Sequence, residues 1–307
     1  MANNITSIYD GDKISVDSMI ADPTWIAQRV IQNLDGAFLV DAVFRDGGSN
    51  QGVVAFREAA APFLNDEVEN VAEFGEIPVS DLNIGKVRTV IAQKIAQAVR
   101  VSFEMRNFNK IDLVNQQITA LQNNVLRASI RAGLAAFNAS NVPDAAASAS
   151  WGTTGDPIKD VFDAIDAIQG ANVDGDDTRN FGYSPDTIVA HPRAVTALLR
   201  NEKVQSKYIG DAASANPLYT GQLPQTVFGL NVLQSRYMDP TEVIVLEAGT
   251  VGFRSDAIPM QMTPLYAEGG GPDSSGGPTM SFRSDCFQSR VYAVDNPKAA
   301  FRITGIS

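Results

Sequence analysis

The chain has 307 residues, 44% of them hydrophobic, enough for two modest cores and too apolar for a disordered segment. Its 35 acidic residues outweigh 24 basic ones, giving a net charge of -11 with no basic run, which argues against a protein that grips nucleic acid through clustered phosphate contacts. A single cysteine, Cys286, and a single histidine, His191, exclude an internal disulfide, a thiolate zinc site and a His-based cluster.

The opening Met-Ala-Asn-Asn-Ile-Thr has no charged stretch followed by an apolar one, so no signal peptide is expected there. No apolar run approaches the ~20 residues of a membrane span, so a membrane partner is not expected. A reducing, aqueous compartment is the expectation.

Residues 1–21 are polar and lack a period; they read as an arm. Asp22-Pro23 predicts the start of a short helix, with Asp as cap and Pro at the first helical position. Ile26, Val30 and Leu34 give it an apolar face, and Gly36 ends it. From Gly52 to Ser102 the period shifts toward two. Val53 to Arg57 reads as one strand and Lys86 to Ile95 as another with one solvated face. Between them lies an acidic stretch, Asp66, Glu67, Glu69, Glu73 and Glu76. Two ribbons joined by an acidic turn predict a long hairpin spanning 51–102. A hairpin of that kind has too little core to stand alone and needs an external cover.

A long helix is predicted from about Asn109 to Asn141. Ile111, Val114, Ile118, Leu121, Val125, Ala128, Ala132 and Ala135 form one stripe, and Leu126, Ile130, Leu134 and Phe137 a second. The small residues Ala132 and Gly133 predict close approach by a neighbour. Residues 142–155 read as a linker. Asp156-Pro157 caps a further helix that Gly170 stops. Thr187 to Ala190 is a short buried strand, and Pro192 opens a helix with Val195, Leu198 and Leu199 inward. Val227 to Leu233 and Val243 to Leu246 read as strands, 269–277 as a mobile glycine-rich loop, and Met280 to Val294 as a strand-like tail.

No constellation carries catalysis, so neither an enzyme activity nor a cofactor is expected. Asp174-Gly175-Asp176-Asp177 begins like a calcium loop, but the twelfth position, which needs Glu, is Pro185. His191, between a strand and a helix start, reads as a cap or a packed ring. Gly249-Thr250-Val251-Gly252 has the wrong spacing for a phosphate loop, and Gly269-Gly270-Gly271 precedes no helix. Cys286 reads as a small buried hydrophobe. The acidic stretch is a solvated turn or an interface patch facing Arg100, Arg106, Arg127 or Arg131. With Lys86, Arg88, Ala132 and Gly133, these residues are the candidate inter-subunit positions.

Several segments, in this order, carry a resemblance. Pro78-Val79-Ser80-Asp81-Leu82, Lys86-Val87, Gln93-Lys94-Ile95-Ala96 and Val101-Ser102-Phe103-Glu104-Met105 resemble the end of the extended loop leading into the spine helix of tailed-phage major capsid proteins of the Hong Kong 97 type. Ile188-Val189-Ala190-His191-Pro192-Arg193 with Leu198-Leu199 is similar to the strand and helix of the axial domain in that family, as is Val227 to Ser235. Val291, then Asp295 to Gly305, resembles the closing strands of its peripheral domain.

The resemblance implies an α+β fold of the Hong Kong 97 type. It implies residues 1–50 as an N-terminal arm with a short helix, 51–101 as the extended loop and 102–180 as a peripheral domain including the spine helix. It further implies 181–277 as an axial domain and 278–307 as the return to the peripheral domain. It implies a structural protein that partners itself in hexamers and pentamers of an icosahedral virion shell, assembled in the host cytoplasm around double-stranded DNA. The negative charge fits a shell that encloses DNA without gripping it. Scaffolding, portal and cement proteins are further partners that the resemblance allows without requiring. Members with a large N-terminal scaffolding segment are longer ahead of the loop, so any scaffold is expected to be a separate protein or absent. Two other readings stand beside this one: an encapsulin-like nanocompartment shell around enzyme cargo, and, in another class, a small-molecule binding or hydrolase domain.

Some members of the family lock their shells through a loop lysine and a neighbour's asparagine. Lys86 and Lys94 lie on the loop side here. After Glu268 there is no further glutamate and Asn296 is the only asparagine, so the resemblance implies a non-covalent shell.

Overall fold

A 29-residue helix, Ile111–Ala139, packs its first half on one β-sheet and its second half against parts of two. The computed structural model describes residues 15–22, 24–34, 39–58, 62–82, 85–173, 175–207, 226–269, 271, 277 and 279–306. Pro23, Gly36, Asp174 and most of the glycine-rich loop lie outside the described residues, as does the arm up to residue 14.

The described chain begins with α1 (Val16–Ala21), α2 (Trp25–Leu34) and α3 (Leu39–Val43). The expected arm is therefore shorter than 21 residues: Val16 and Met19 are buried in a core with Ile26, Val30 and Leu34. A two-residue apolar signal was too brief to show a period. Asp22 still caps, its carboxylate accepting from the Thr24 backbone N–H at 3.2 Å, but the regular helix starts at Trp25.

Next come β1 (Arg45–Ser49), β2 (Val53–Arg57), β3 (Val87–Ile91), β4 (Gln93–Ser102) and α4 (Phe103–Asn107). The hairpin is real but ends earlier than expected. β2 and β3 pair antiparallel from Val53↔Ile91 to Arg57↔Val87. The ribbon read as one strand through Ile95 breaks at Ala92, and β4 then leaves for a different partner. Gln93 and Lys94 are both exposed, so the inward-facing positions change from even to odd numbers at the break.

The long helix is α5, followed by β5 (Asp144–Ala146), α6 (Pro157–Gln169), β6 (Asn172–Val173) and β7 (Asp176–Asn180). Then come β8 (Thr187–Ala190), α7 (Pro192–Arg200), α8 (Glu202–Lys207), β9 (Thr226–Val227) and β10 (Leu230–Gln234). The last elements are β11 (Glu242–Leu246), β12 (Phe253–Met262), β13 (Tyr266–Ala267), β14 (Ser281–Ala293) and β15 (Ala300–Thr304). The caps of α6 and α7 match the sequence reading. Asp156 accepts from the Lys159 N–H at 3.2 Å, and the His191 ring nitrogen accepts from the Arg193 N–H at 3.0 Å. The expected linker at 142–155 contributes the edge strand β5, which its small residues gave no reason to expect. The expected strand from Val227 to Leu233 is a tight hairpin, β9 and β10, turned at Phe228 and Gly229, both with positive φ.

The first sheet is built on β14. It pairs with β12 and then β13, and with β4 along ten residues from Ser102↔Ser281 to Gln93↔Arg290. β1 adds in parallel to β12. β12 carried no clear alternation, and two register shifts around Asp256 and Ile258 explain why; Pro259, which has no N–H for a ladder, sits at the second irregularity. The second sheet has the order β5-β15-β11-β8-β10-β9. All residues of β8 are buried, and so are Val243 to Leu246, because helices cover both faces. α6, α7 and α8 pack on one face with Ile188, Val243 and Val245, while α3 and the end of α5 meet Val189, Ile244 and Leu246 on the other.

The chain crosses between sheets more often than the sequence boundaries suggest. β14 and β15 are neighbours in sequence, yet β14 lies in the first sheet and β15 in the second. The resemblance placed both in one closing unit.

Candidate assembly surfaces

α5 explains how the candidate residues are distributed. Its buried stripe runs Ile111, Val114, Ile118, Leu121 and Val125, as read from the sequence, and then continues through Ser129, Gly133 and Phe137, with Ile130 beside it; Ile130 and Phe137 belong to the second stripe read from the sequence. The sequence stripe had turned instead through Ala128, Ala132 and Ala135. The difference is one of spacing: after Val125 the buried face advances by four residues at each step, not by three then four. Ser129 disguised the path because it is polar. It is fully buried and accepts a hydrogen bond from Gln288 Nε2 at 3.2 Å.

Gly133 sits on that buried face. A Cβ there would lie 2.8 Å from Val40 Cγ1 of α3. The close neighbour expected at Gly133 is therefore α3 of the same chain, and Gly133 has no surface left for another subunit. Ala132 differs. It lines an open apolar groove of about 250 Å³ with Ala135, Ala136, Ala139, Ile91, Ile95 and Phe56. Arg127 and Arg131 stand exposed on the same half of α5.

The hairpin borders this groove. Val54, Phe56 and Val90 pack on Phe253, Val291 and Ala293 of the first sheet, with the Phe56 ring edge-on to Phe253 at 5.4 Å between centroids. Arg88 pairs with Glu58 and donates to the Ala139 carbonyl at 3.2 Å, tying the hairpin to the C-terminal end of α5. One face of the hairpin base is therefore covered by its own chain, contrary to the expectation that only an outside partner would cover it. The pleat sends alternate side chains to opposite faces, and Val53, Val87 and Ile91 remain exposed on the other.

Beyond the base the loop runs out to an apolar and acidic tip. Val68, Phe74 and Val79 are more than nine-tenths exposed, at 102%, 99% and 93%. Asp66, Glu67, Glu69, Glu73 and Glu76 are exposed and make no ion pair with any described residue. Lys86 is exposed at the neck.

The remaining candidates lie elsewhere. Arg100 pairs with Glu268 at 2.8 Å, and Arg283 bridges Glu268 to Asp285 at the open end of β14. Arg106 lies over the Phe282 ring, 5.9 Å from its centroid. The structure thus brings Ala132, Arg88 and the hairpin base together, sets Arg127 and Arg131 on the same helix, and places Arg100 and Arg106 on the far part of the first sheet. Sequence reasoning missed the groove because its walls come from β2, β3, β4, α5 and β14.

Cys286 is buried in the first core, where burial pushes its thiol up from the ordinary value. Among the described residues no helix is long and apolar enough to cross a membrane, and no group of His, Cys, Asp and Glu side chains is placed to hold a metal ion.

The described chain is thus a two-sheet α+β protein with a long helix shared between the sheets and a projecting loop that exposes large apolar side chains. The chain belongs to the phage capsid protein family, whose model matches residues 86–303. No curated protein matches the sequence. Among solved structures, the capsid of cyanophage P-SCSP1u aligns with a TM-score of 0.59 at 11% identity, covering 88% of this chain and 87% of that one. A chain from Mycobacterium phage Bobi aligns at 0.57 and 14% identity, covering 87% and 90%. The virus-like particle of Pyrococcus furiosus aligns at 0.57 and 10% identity, covering 91% and 97%. At such identities the likeness is one of fold.

Proposed function

We propose that this capsid protein is the major subunit of a tailed phage, self-associating as hexamers and pentamers into an icosahedral shell that encloses double-stranded DNA. The observation that carries the reading is the loop tip: large apolar side chains that are almost fully exposed, on a segment too thin to bury them itself. A second copy is the partner, and its receiving surface is the groove lined by Ala132 and the neighbouring alanines. The charges are complementary, with tip carboxylates that pair with no described residue and Arg127 and Arg131 exposed on the helix that lines the groove. Lys86, Arg88, Arg100 and Arg106 are secondary interface positions in this reading.

Residues 53–91 form the extended loop in this reading, the first sheet with α5 the peripheral domain, and the second sheet the axial domain. The net charge of -11 supports DNA enclosed without tight binding. Assembly takes place in the host cytoplasm, and this reading leaves room for scaffolding, portal and cement proteins without requiring them. The role is structural, with no reaction assigned.

A second reading, a nanocompartment around protein cargo, draws support from the likeness to the virus-like particle of Pyrococcus furiosus. Electron microscopy of purified particles separates the two. DNA-filled icosahedra support the phage reading, protein-filled ones support the nanocompartment, and a chain that forms no particles with or without its co-expressed partners overturns both.

A further inference from the structure

A residue from outside the extended loop holds its neck. Arg179 of β7 donates from Nη2 to the Leu64 carbonyl at 2.8 Å. Its guanidinium also lies over the Phe63 ring, 5.8 Å from the centroid. At this point the two limbs of the loop pair again. Leu64 bridges Leu82, the Asn65 N–H donates to the Asp81 carbonyl at 3.1 Å, and the Asp66 N–H donates to the Ser80 hydroxyl at 2.9 Å. Arg179 therefore grips the loop where it is two-stranded. The apolar tip beyond stays exposed, so the contact does not mask the surface offered to a partner.

The charge pattern gives the contact a reason. From Ala59 to Gly85 the sequence has no lysine or arginine, while acidic residues recur. Arg179 is a cation that β7 supplies to a segment with none of its own. Its planar fork suits both tasks, donation to a carbonyl and stacking on a ring.

We propose that Arg179 is a positioning residue for assembly: it fixes the direction in which the loop leaves its own chain, so that the tip is already aimed when a second copy arrives. The proposal rests on the capsid reading. A loop left free would have to be ordered during association, at an entropic cost that weakens the contact. A clamp made within the folded chain meets that cost beforehand.

The test compares Arg179→Ala and Arg179→Lys in the full-length chain. Hydrogen exchange is followed in the unassembled protein, and assembly is followed by light scattering and electron microscopy. Arg179 is half-buried at the surface and belongs to neither sheet's core, so both variants should melt like the wild type. In Arg179→Ala, exchange at Asn65 and Asp66 should rise about fivefold to tenfold, the range set by a surface cation–π contact and one hydrogen bond. Assembly should slow and yield particles of mixed size. Arg179→Lys should fall between, since an ammonium can reach the carbonyl but has no plane to lay on Phe63. Unchanged exchange in Arg179→Ala overturns the clamp. Raised exchange with unchanged assembly rate and particle size overturns the positioning role. If the wild type itself never forms particles, the capsid reading fails, and exchange alone upholds or overturns the clamp.

Discussion

Gly133 shows how closely α5 is approached within its own chain. A Cβ at this position would lie only 2.8 Å from Val40 Cγ1, with Phe44 behind it, so a large side chain must push α3 away. Gly133→Leu should cost ~1–3 kcal/mol by overpacking. Denaturant unfolding would show it as a lower midpoint; an unshifted midpoint would mean that α3 is loosely held. A different single-residue effect concerns acid. Glu268 is held below the ordinary glutamate value, chiefly by its hydrogen bond from Arg100, with Ser281 and Arg283 contributing. For Asp285, burial pushes the carboxyl up, but the Tyr266 hydroxyl and Arg283 outweigh it and the net direction is down. Carboxyls lowered on folding stabilise the folded chain above their unfolded values, and that stabilisation is lost as pH falls through the folded ones. Glu268→Gln removes one such group. Its melting temperature should fall less steeply than that of the wild type below about pH 4.5, the unfolded glutamate value. Superimposable acid limbs would count against the pairing.

The loop tip joins backbone strain to exposure. Phe74 has φ 68 and is 99% exposed, in a turn closed by the Gly75 N–H donating to the Ala72 carbonyl at 2.8 Å. An aromatic residue in the left-handed region that packs on no described residue fits the proposed contact with a second copy. Phe74→Asn should leave the unassembled chain as stable as before or more so, because asparagine tolerates that backbone. The same change should remove a buried anchor from each subunit contact, at about 2 kcal/mol, and particle yield should collapse. Particles at wild-type yield would sink the tip as an anchor. Elements with a strong period and a chemical punctuation mark were legible in the sequence: α6 between Asp156 and Gly170, α7 behind His191-Pro192, and the buried strands β8 and β11. β1, with its Arg-Asp-Gly-Gly-Ser sequence, and β5, with Asp-Ala-Ala, were not, because their pairing comes from partners distant in sequence. The tip's acidic residues were visible, but the groove was not, since periodicity names a face and never the element that faces it.

For the whole particle the question is whether the shell is locked covalently. A lysine–asparagine bond needs an amine on the loop, a free carboxamide on the neighbour and a carboxylate base to take the ammonium proton before nitrogen attacks. The amine is available, since Lys86 is exposed, while Lys94 rests over the Phe287 ring at 5.3 Å. In the segment after Asn231 the carboxamide is not. Asn296 is the only asparagine after Asn231, and its side chain is committed at both ends. Its Nδ2 donates to the Thr250 carbonyl at 2.6 Å, and its Oδ1 accepts from the Tyr183 hydroxyl at 3.3 Å. From Glu268 onward the glutamate base is engaged as well: Glu268 is the last glutamate and is ion-paired with Arg100. Asp285 is engaged by Arg283 and Tyr266, and its lowered carboxyl makes it a weaker base. The shell should therefore be held by loop, groove and arm contacts alone. Particles boiled in detergent should run as one band near the 32.8 kDa monomer on a denaturing gel. A ladder of dimers, pentamers and hexamers that survives reductant would show that a covalent acceptor exists which neither the sequence nor these side-chain contacts reveal.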